Sequence, residues 1–101
     1  MPANRPRFEF DPGKSQINKA KHGLDFVEAQ RLWDSPRLIL NAKEAKEKRY
    51  LEIGRISSEY WTAVVTYVGA TIRLISVRKS NAEEIAEYVR VEKARRSQSE
   101  E

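Results

Sequence analysis

Between residues 49 and 79 the chain adopts a period of two and keeps it through three successive segments, "RYLEIGRI", "YWTAVVTYV" and "TIRLISVRK". Apolar and β-branched residues at alternate positions describe strands with one face buried. The connections between them are long enough only for hairpins. Gly69-Ala70 is a two-residue loop with glycine first, as a type II′ turn prefers, and Ser58-Glu59 is the expected loop before it. A chain with this centre is committed to an antiparallel meander. Whatever else it contains must cover that sheet.

The loops set a register, and the register sets faces. With Gly69-Ala70 as the loop, Thr66 is expected opposite Arg73, Val64 opposite Ile75 and Trp61 opposite Arg78. With Ser58-Glu59 as the loop, Leu51 falls opposite Thr66 and Arg49 opposite Val68. One face then carries Arg49, Leu51, Val64, Thr66, Arg73 and Ile75. The other carries Trp61, Ala63, Val65, Tyr67, Ile72 and Leu74, is the more apolar, and is expected to meet the helices. The first face gathers Arg49 and Arg73 around a threonine hydroxyl. Arg78 has the opposite parity and joins them only if the strand ends or bulges near Val77.

The flanks supply the cover. "RFEF" at 7–10 alternates Phe8 and Phe10 as a short strand. Asp11 and Pro12 suit the N-cap and first position of a helix that runs to about His22 with Ile17 and Ala20 inward, and Gly23 suits its left-handed end. Asp25 and Glu28 form a capping box for a second helix, whose stripe is Phe26, Ala29, Leu32 and Trp33. "RLIL" at 37–40 is a strand, and "NAKEAKEK" a solvated, mixed-charge connection. Asn81 and Glu84 cap a last helix with the stripe Ala82, Ile85, Ala86 and Val89. The order is β-α-α-β-β-β-β-α. This is an α+β domain over 7–92, with an antiparallel sheet covered by helices on one face, a flexible tail at 1–6 and a polar end at 93–101.

Composition narrows the function. The 101 residues fit one domain, 34% of them are charged, and there is no cysteine and a single histidine. Disulfides and thiolate metal sites are excluded, and neither a metal nor another cofactor is expected. No apolar run approaches the ~18 residues of a membrane span, so no membrane association is expected. The start "MPANRPRFEF" has no apolar signal region, which points to the cytoplasm. The formal net charge is +4 and the pI about 9.5. Arg73, Arg78 and Lys79 fall within residues 71–80 without an acid, a pattern that attracts polyanions, nucleic acid first. Guanidinium forks match phosphate oxygens and keep their proton. Arg49, Arg73 and Arg78 are therefore the candidates for holding RNA phosphate, with Thr66, Lys79 and Tyr88 as further RNA contacts. Charged strand residues that merely stay solvated are the alternative.

The matching pieces "FEFDPGK", "NKAKHGLDFVEA", "EKRYLEIG" and "VVTYVGATIRLISVRK", followed by Glu84 and Tyr88, occur in this order over residues 8–88. Together they resemble the BrnT ribonuclease toxins of bacterial type II toxin–antitoxin systems, whose fold is similar to that of the RelE toxins. The resemblance implies an RNA-cleaving, translation-arresting enzyme without a metal. It also implies a BrnA-like antitoxin partner with a ribbon-helix-helix part, a heterotetramer of the two, and contact with operator DNA only through that antitoxin. Where members commonly carry an Asp and then a His-Ser pair, this chain reads "NAKEAKEKR".

Cleavage by attack of a ribose 2′-hydroxyl needs a base, a proton source and positive charge on the phosphate. His22 is the side chain whose ordinary pKa, ~6.5, lies nearest neutrality, and Lys21 and Glu47 are the substitutes for it. The same His22 also reads as a basic residue in the last turn of a helix, favoured there by the dipole alone. Two other classes stay open. One is a module that binds RNA or an acidic antitoxin segment without cleaving. The other is an adaptor whose charges only solubilise it.

Overall fold

The computed structural model describes residues 6–42 and 48–99. The candidate Glu47, the rest of the 43–47 connection and the terminal residues 1–5 and 100–101 lie outside them. The elements are β1 (Arg7–Glu9), α1 (Pro12–His22), a 3-10 helix (Glu28–Asp34), β2 (Leu38–Asn41), β3 (Tyr50–Ile56), β4 (Glu59–Val68), β5 (Thr71–Lys79) and α2 (Ala82–Ser99). They form an α+β structure around one five-stranded sheet in the order β1-β5-β4-β3-β2.

Local signals set the ends of the elements. The Asp11 carboxylate accepts from the backbone N–H groups of Gly13 and Lys14 at 2.7 and 3.2 Å. Gly23 ends α1 at φ 89°, its N–H donating to the Lys19 carbonyl. Both capping boxes form: Asp25 with Glu28, and Asn81 with Glu84. Gly69 opens the β4–β5 loop at φ 63°, as a type II′ turn requires. The second helix is a 3-10 helix whose buried residues are Ala29, Leu32 and Trp33; Phe26, buried just before it, and then Ala29 and Leu32 recur every third position. A tight helix stacks that spacing on one side.

Four expectations are corrected. The sheet is mixed, since β1 lies parallel to β5 with Glu9 beside Arg73, a non-local pairing made after α1 and the whole meander intervene. The β3–β4 loop is Ser57-Ser58, so Ile56 pairs with Glu59 and Leu51 lies opposite Val64. The tight turn is taken by Ser57 at φ 58°. The register moves by two residues, an even number, so the faces keep their assignment, but Arg49 falls just before the strand and has no partner in β4. In β5, Val65 pairs with Leu74 and Val64 with Ser76, which leaves Ile75 as the extra residue of a bulge. Beyond it Trp61 is opposite Lys79, Thr62 is opposite Arg78, and Val77 turns into the core. That bulge brings Arg78 onto the face of Arg73.

The helices cover both faces rather than one. α1 and the 3-10 helix lie on the side of Ala63, Val65, Ile72, Leu74 and Val77, where Phe26, Ala29, Leu32 and Trp33 complete the core. Phe8 packs edge-on against Trp33, and Phe10 against Phe26. α2 lies on the opposite side, over Thr62 and Tyr60, through Glu84 and Tyr88. The inward residues of α1 are Ser15 and Asn18, whereas Ile17 is 65% exposed and Ala20 is also outside. In α2, Glu84 and Tyr88 are buried, Ile85 and Val89 half-buried, and Ala82 and Ala86 exposed. Polar anchors explain both cases. Past the end of β1, the Asn18 amide donates to the Val77 carbonyl at 2.8 Å and accepts from the Val77 N–H at 3.2 Å, so it stands in for a missing strand. Its amide also donates to the Leu24 carbonyl at 2.7 Å. On the core side, the fully buried Glu52 accepts from Arg37 Nε at 2.7 Å and from the Tyr67 hydroxyl, tying β2 to β3 and β4.

Candidate functional site

Sheet parity and the parallel β1 build a cleft of about 510 Å³ lined by Glu9, Phe10, Asp11, Lys14, Arg49, Arg73, Leu74 and Ile75. Arg73 points out of β5 on the face away from the core, and the register of β1 places Glu9 beside it. Their side chains meet at 2.9 Å, both substantially exposed, an ion pair that solvent keeps weak. Lys14 enters from the first turn of α1, where the Asp11 cap fixes the helix start. Arg49 enters from the residues just before β3. Thr66, opposite Arg73 as expected, donates its hydroxyl to the Lys48 carbonyl at 2.9 Å and so steadies the backbone next to Arg49. The Nε–H of Arg49 is buried and has no hydrogen-bond partner among the described residues. A buried donor on a permanent cation costs free energy until an acceptor reaches it.

The remaining candidates among the described residues lie elsewhere. Arg78 shares the face of Arg73, but its fork is filled by Glu84: Nη1 donates to Oε1 at 2.9 Å and Nη2 to Oε2 at 2.8 Å. Glu84 also accepts from the Thr62 hydroxyl at 3.0 Å and from the Asn81 N–H at 2.9 Å. The Arg78 hydrogen bonds, helped by those of Asn81 and Thr62, hold the Glu84 carboxyl below its ordinary range. The same contact with Glu84 raises Arg78. This network fastens α2 to the sheet. Lys79 is on the opposite face, paired with Glu59 at 3.1 Å and 6.0 Å from the Trp61 ring centre. Tyr88 is buried, stacks edge-on against Tyr60 and donates its hydroxyl to the Pro36 carbonyl at 3.2 Å.

His22 and Lys21 close α1 at the end away from the cleft. Eight residues separate His22 from Lys14, about 12 Å along the helix axis. Asn18 holds that end of α1 against Val77, and neither His22 nor Lys21 lines the cleft. The structure thus joins Arg49 with Arg73, supports them through Thr66, and separates both from Lys21, His22, Arg78, Lys79 and Tyr88. Lys14 and Glu9 are the cleft residues that sequence reasoning passed over. Their signal lay in "FEFDPGK", where Glu9 has the outward parity between two inward phenylalanines, but the parallel partner that delivers it is not a local property.

An α+β sheet with two arginines and a lysine around a small cleft, one arginine donor unspent, has the features of a site for a phosphate-bearing ligand. A family model described as the ribonuclease toxin BrnT of type II toxin–antitoxin systems matches residues 10–84. The chain belongs to this ribonuclease toxin family. The match starts at Phe10 in the cleft and ends at Glu84, the anchor of α2. No curated protein matches the chain. Among the described residues no helix is long and apolar enough to cross a membrane.

Proposed function

We propose that this chain is the toxin of a type II toxin–antitoxin pair and that it cleaves RNA in the cleft of Lys14, Arg49 and Arg73. The observation that carries the reading is the buried Nε–H of Arg49, without a partner among the described residues, in a cleft holding two further cations. A phosphate oxygen supplies the missing acceptor. In the proposed reaction the ribose 2′-oxygen attacks the adjacent phosphorus and the bond to the 5′-oxygen breaks. The products are a 2′,3′-cyclic phosphate and a free 5′-hydroxyl. Glu9 takes the 2′-hydroxyl proton, and the Lys14 ammonium gives a proton to the departing 5′-oxygen. Arg49 and Arg73 hold the charge that develops on the phosphorane oxygens, so the scheme needs no metal. Glu47, two residues before Arg49 in sequence, is the second candidate base. Arg78, Lys79 and Tyr88 act in this reading as structural residues, and His22 as the helix end its sequence context describes.

We assign as partner a BrnA-like antitoxin with a ribbon-helix-helix part, joined to the toxin in a heterotetramer that alone reaches operator DNA. RNA cleavage by the free toxin arrests translation in the cytoplasm. The family membership supports this assignment. The test is induction of the chain alone and together with the reading frame downstream of its gene, with RNA integrity followed in both cultures. Growth arrest with RNA fragments ending in cyclic phosphate, relieved by the neighbour, is the expected result. Intact RNA and normal growth in both cultures would overturn it. RNA bound but never cut would instead identify a non-catalytic binding module.

A further inference from the structure

A second groove, of about 600 Å³, opens where α2 crosses the sheet beside β2 and β3, and it shares no lining residue with the cleft. Tyr88, Val91, Glu92 and Arg95 line its helical wall at i, i+3, i+4 and i+7, one face of α2. Pro36, Leu38 and Arg55 line it from the sheet side. Arg55 and Arg95 are both exposed, and neither is paired with a carboxylate among the described residues. Arg37, also in the lining, is spent on the buried Glu52, and Glu92 lies 3.9 Å from Arg96. The lining thus combines the apolar Pro36, Leu38, Tyr88 and Val91 with the exposed guanidinium groups of Arg55 and Arg95.

We propose that this groove docks an acidic, amphipathic segment of the antitoxin, a proposal that rests on the toxin–antitoxin reading above. Apolar side chains of the segment fill the space between Leu38, Pro36 and Val91, and its carboxylates pair with Arg55 and Arg95. The lining disfavours RNA. Single strands bind through exposed aromatic faces, whereas the Tyr60 ring already carries Arg55, at 5.2 Å, and Tyr88. Along β4, the partner of Arg55 is Tyr60 and the partner of Arg73 is Thr66. Six residues of strand, about 20 Å, therefore separate the groove from the cleft. The antitoxin is anchored at a site distinct from the one where RNA is cut.

The test measures the affinity of the full chain for the product of the adjoining reading frame, alongside cleavage of a mixed-sequence single-stranded RNA. Arg55→Glu with Arg95→Glu is expected to weaken the protein complex about tenfold or more while leaving cleavage by the free toxin unchanged. Arg95→Glu alone repeats the test without touching Tyr60. An unchanged complex overturns the proposal. So does a loss of RNA cleavage with the complex intact, which would give the groove to RNA. Self-association of the wild type that the double variant abolishes would give it to a second copy and overturn the proposal as well. If the wild type forms no complex at all, the toxin–antitoxin reading fails first and takes this one with it.

Discussion

A single donor defines the candidate site: among the described residues Arg49 Nε–H is buried without an acceptor, while Arg73 is paired with Glu9 and the Asp11 carboxylate caps α1. Arg49→Ala is expected to reduce kcat on RNA by about 10²–10³-fold at little cost in folding, since it removes charge that matters most in the transition state. Single-turnover cleavage, with melting as the control, checks this. Arg78 contrasts with it. Arg78→Ala leaves the Glu84 carboxylate buried without its partner, and a loss of about 2 kcal/mol is expected after allowance for the partial exposure of the arginine. The pH dependence follows from the direction of the Glu84 shift. Its folded pKa lies below the ordinary 4.5, so its contribution is present above 4.5 and is lost as pH falls through the lower folded value. Melting of the wild type from pH 6 to acid should fall more steeply than that of Glu84→Gln, and parallel curves would contradict this.

At the scale of elements, what decided legibility was whether a signal is local. Asp11, Gly23, the two capping boxes and Gly69 act on residues next to them, and each could be read from its neighbours. The β3–β4 loop was displaced because Ser57 adopts a conformation that serine rarely advertises. The faces survived because the displacement was even. The buried sides of α1 and α2 were misread for a different reason. A stripe is sought among apolar residues, whereas these helices are held by Ser15, Asn18 and Glu84, whose burial depends on partners far away in sequence. Asn18→Ala should therefore cost about 2–4 kcal/mol by stranding the Val77 backbone groups. Ile17→Asp, at an exposed position, should stay within about 0.5 kcal/mol of wild type. Urea unfolding of the pair distinguishes the two accounts of α1.

For the whole molecule, the parallel pairing of β1 with β5 is the feature that organises the cleft. It sets Glu9 beside Arg73 and turns the chain so that α1 begins at the cleft and ends away from it. The sheet pattern already brought Arg49 and Arg73 together. It could not reveal Lys14 and Glu9, or that His22 leaves with the far end of α1. The central claim is that RNA is cut where Arg49 lies and not where the histidine lies. The most direct test is kcat/KM for cleavage of one RNA substrate, in the presence of a metal chelator, by the wild type, Arg49→Ala and His22→Ala. The account predicts that His22→Ala stays close to wild type and that Arg49→Ala loses about 10²-fold or more. A His22→Ala enzyme that is inactive, beside an Arg49→Ala enzyme that still cuts, would contradict it.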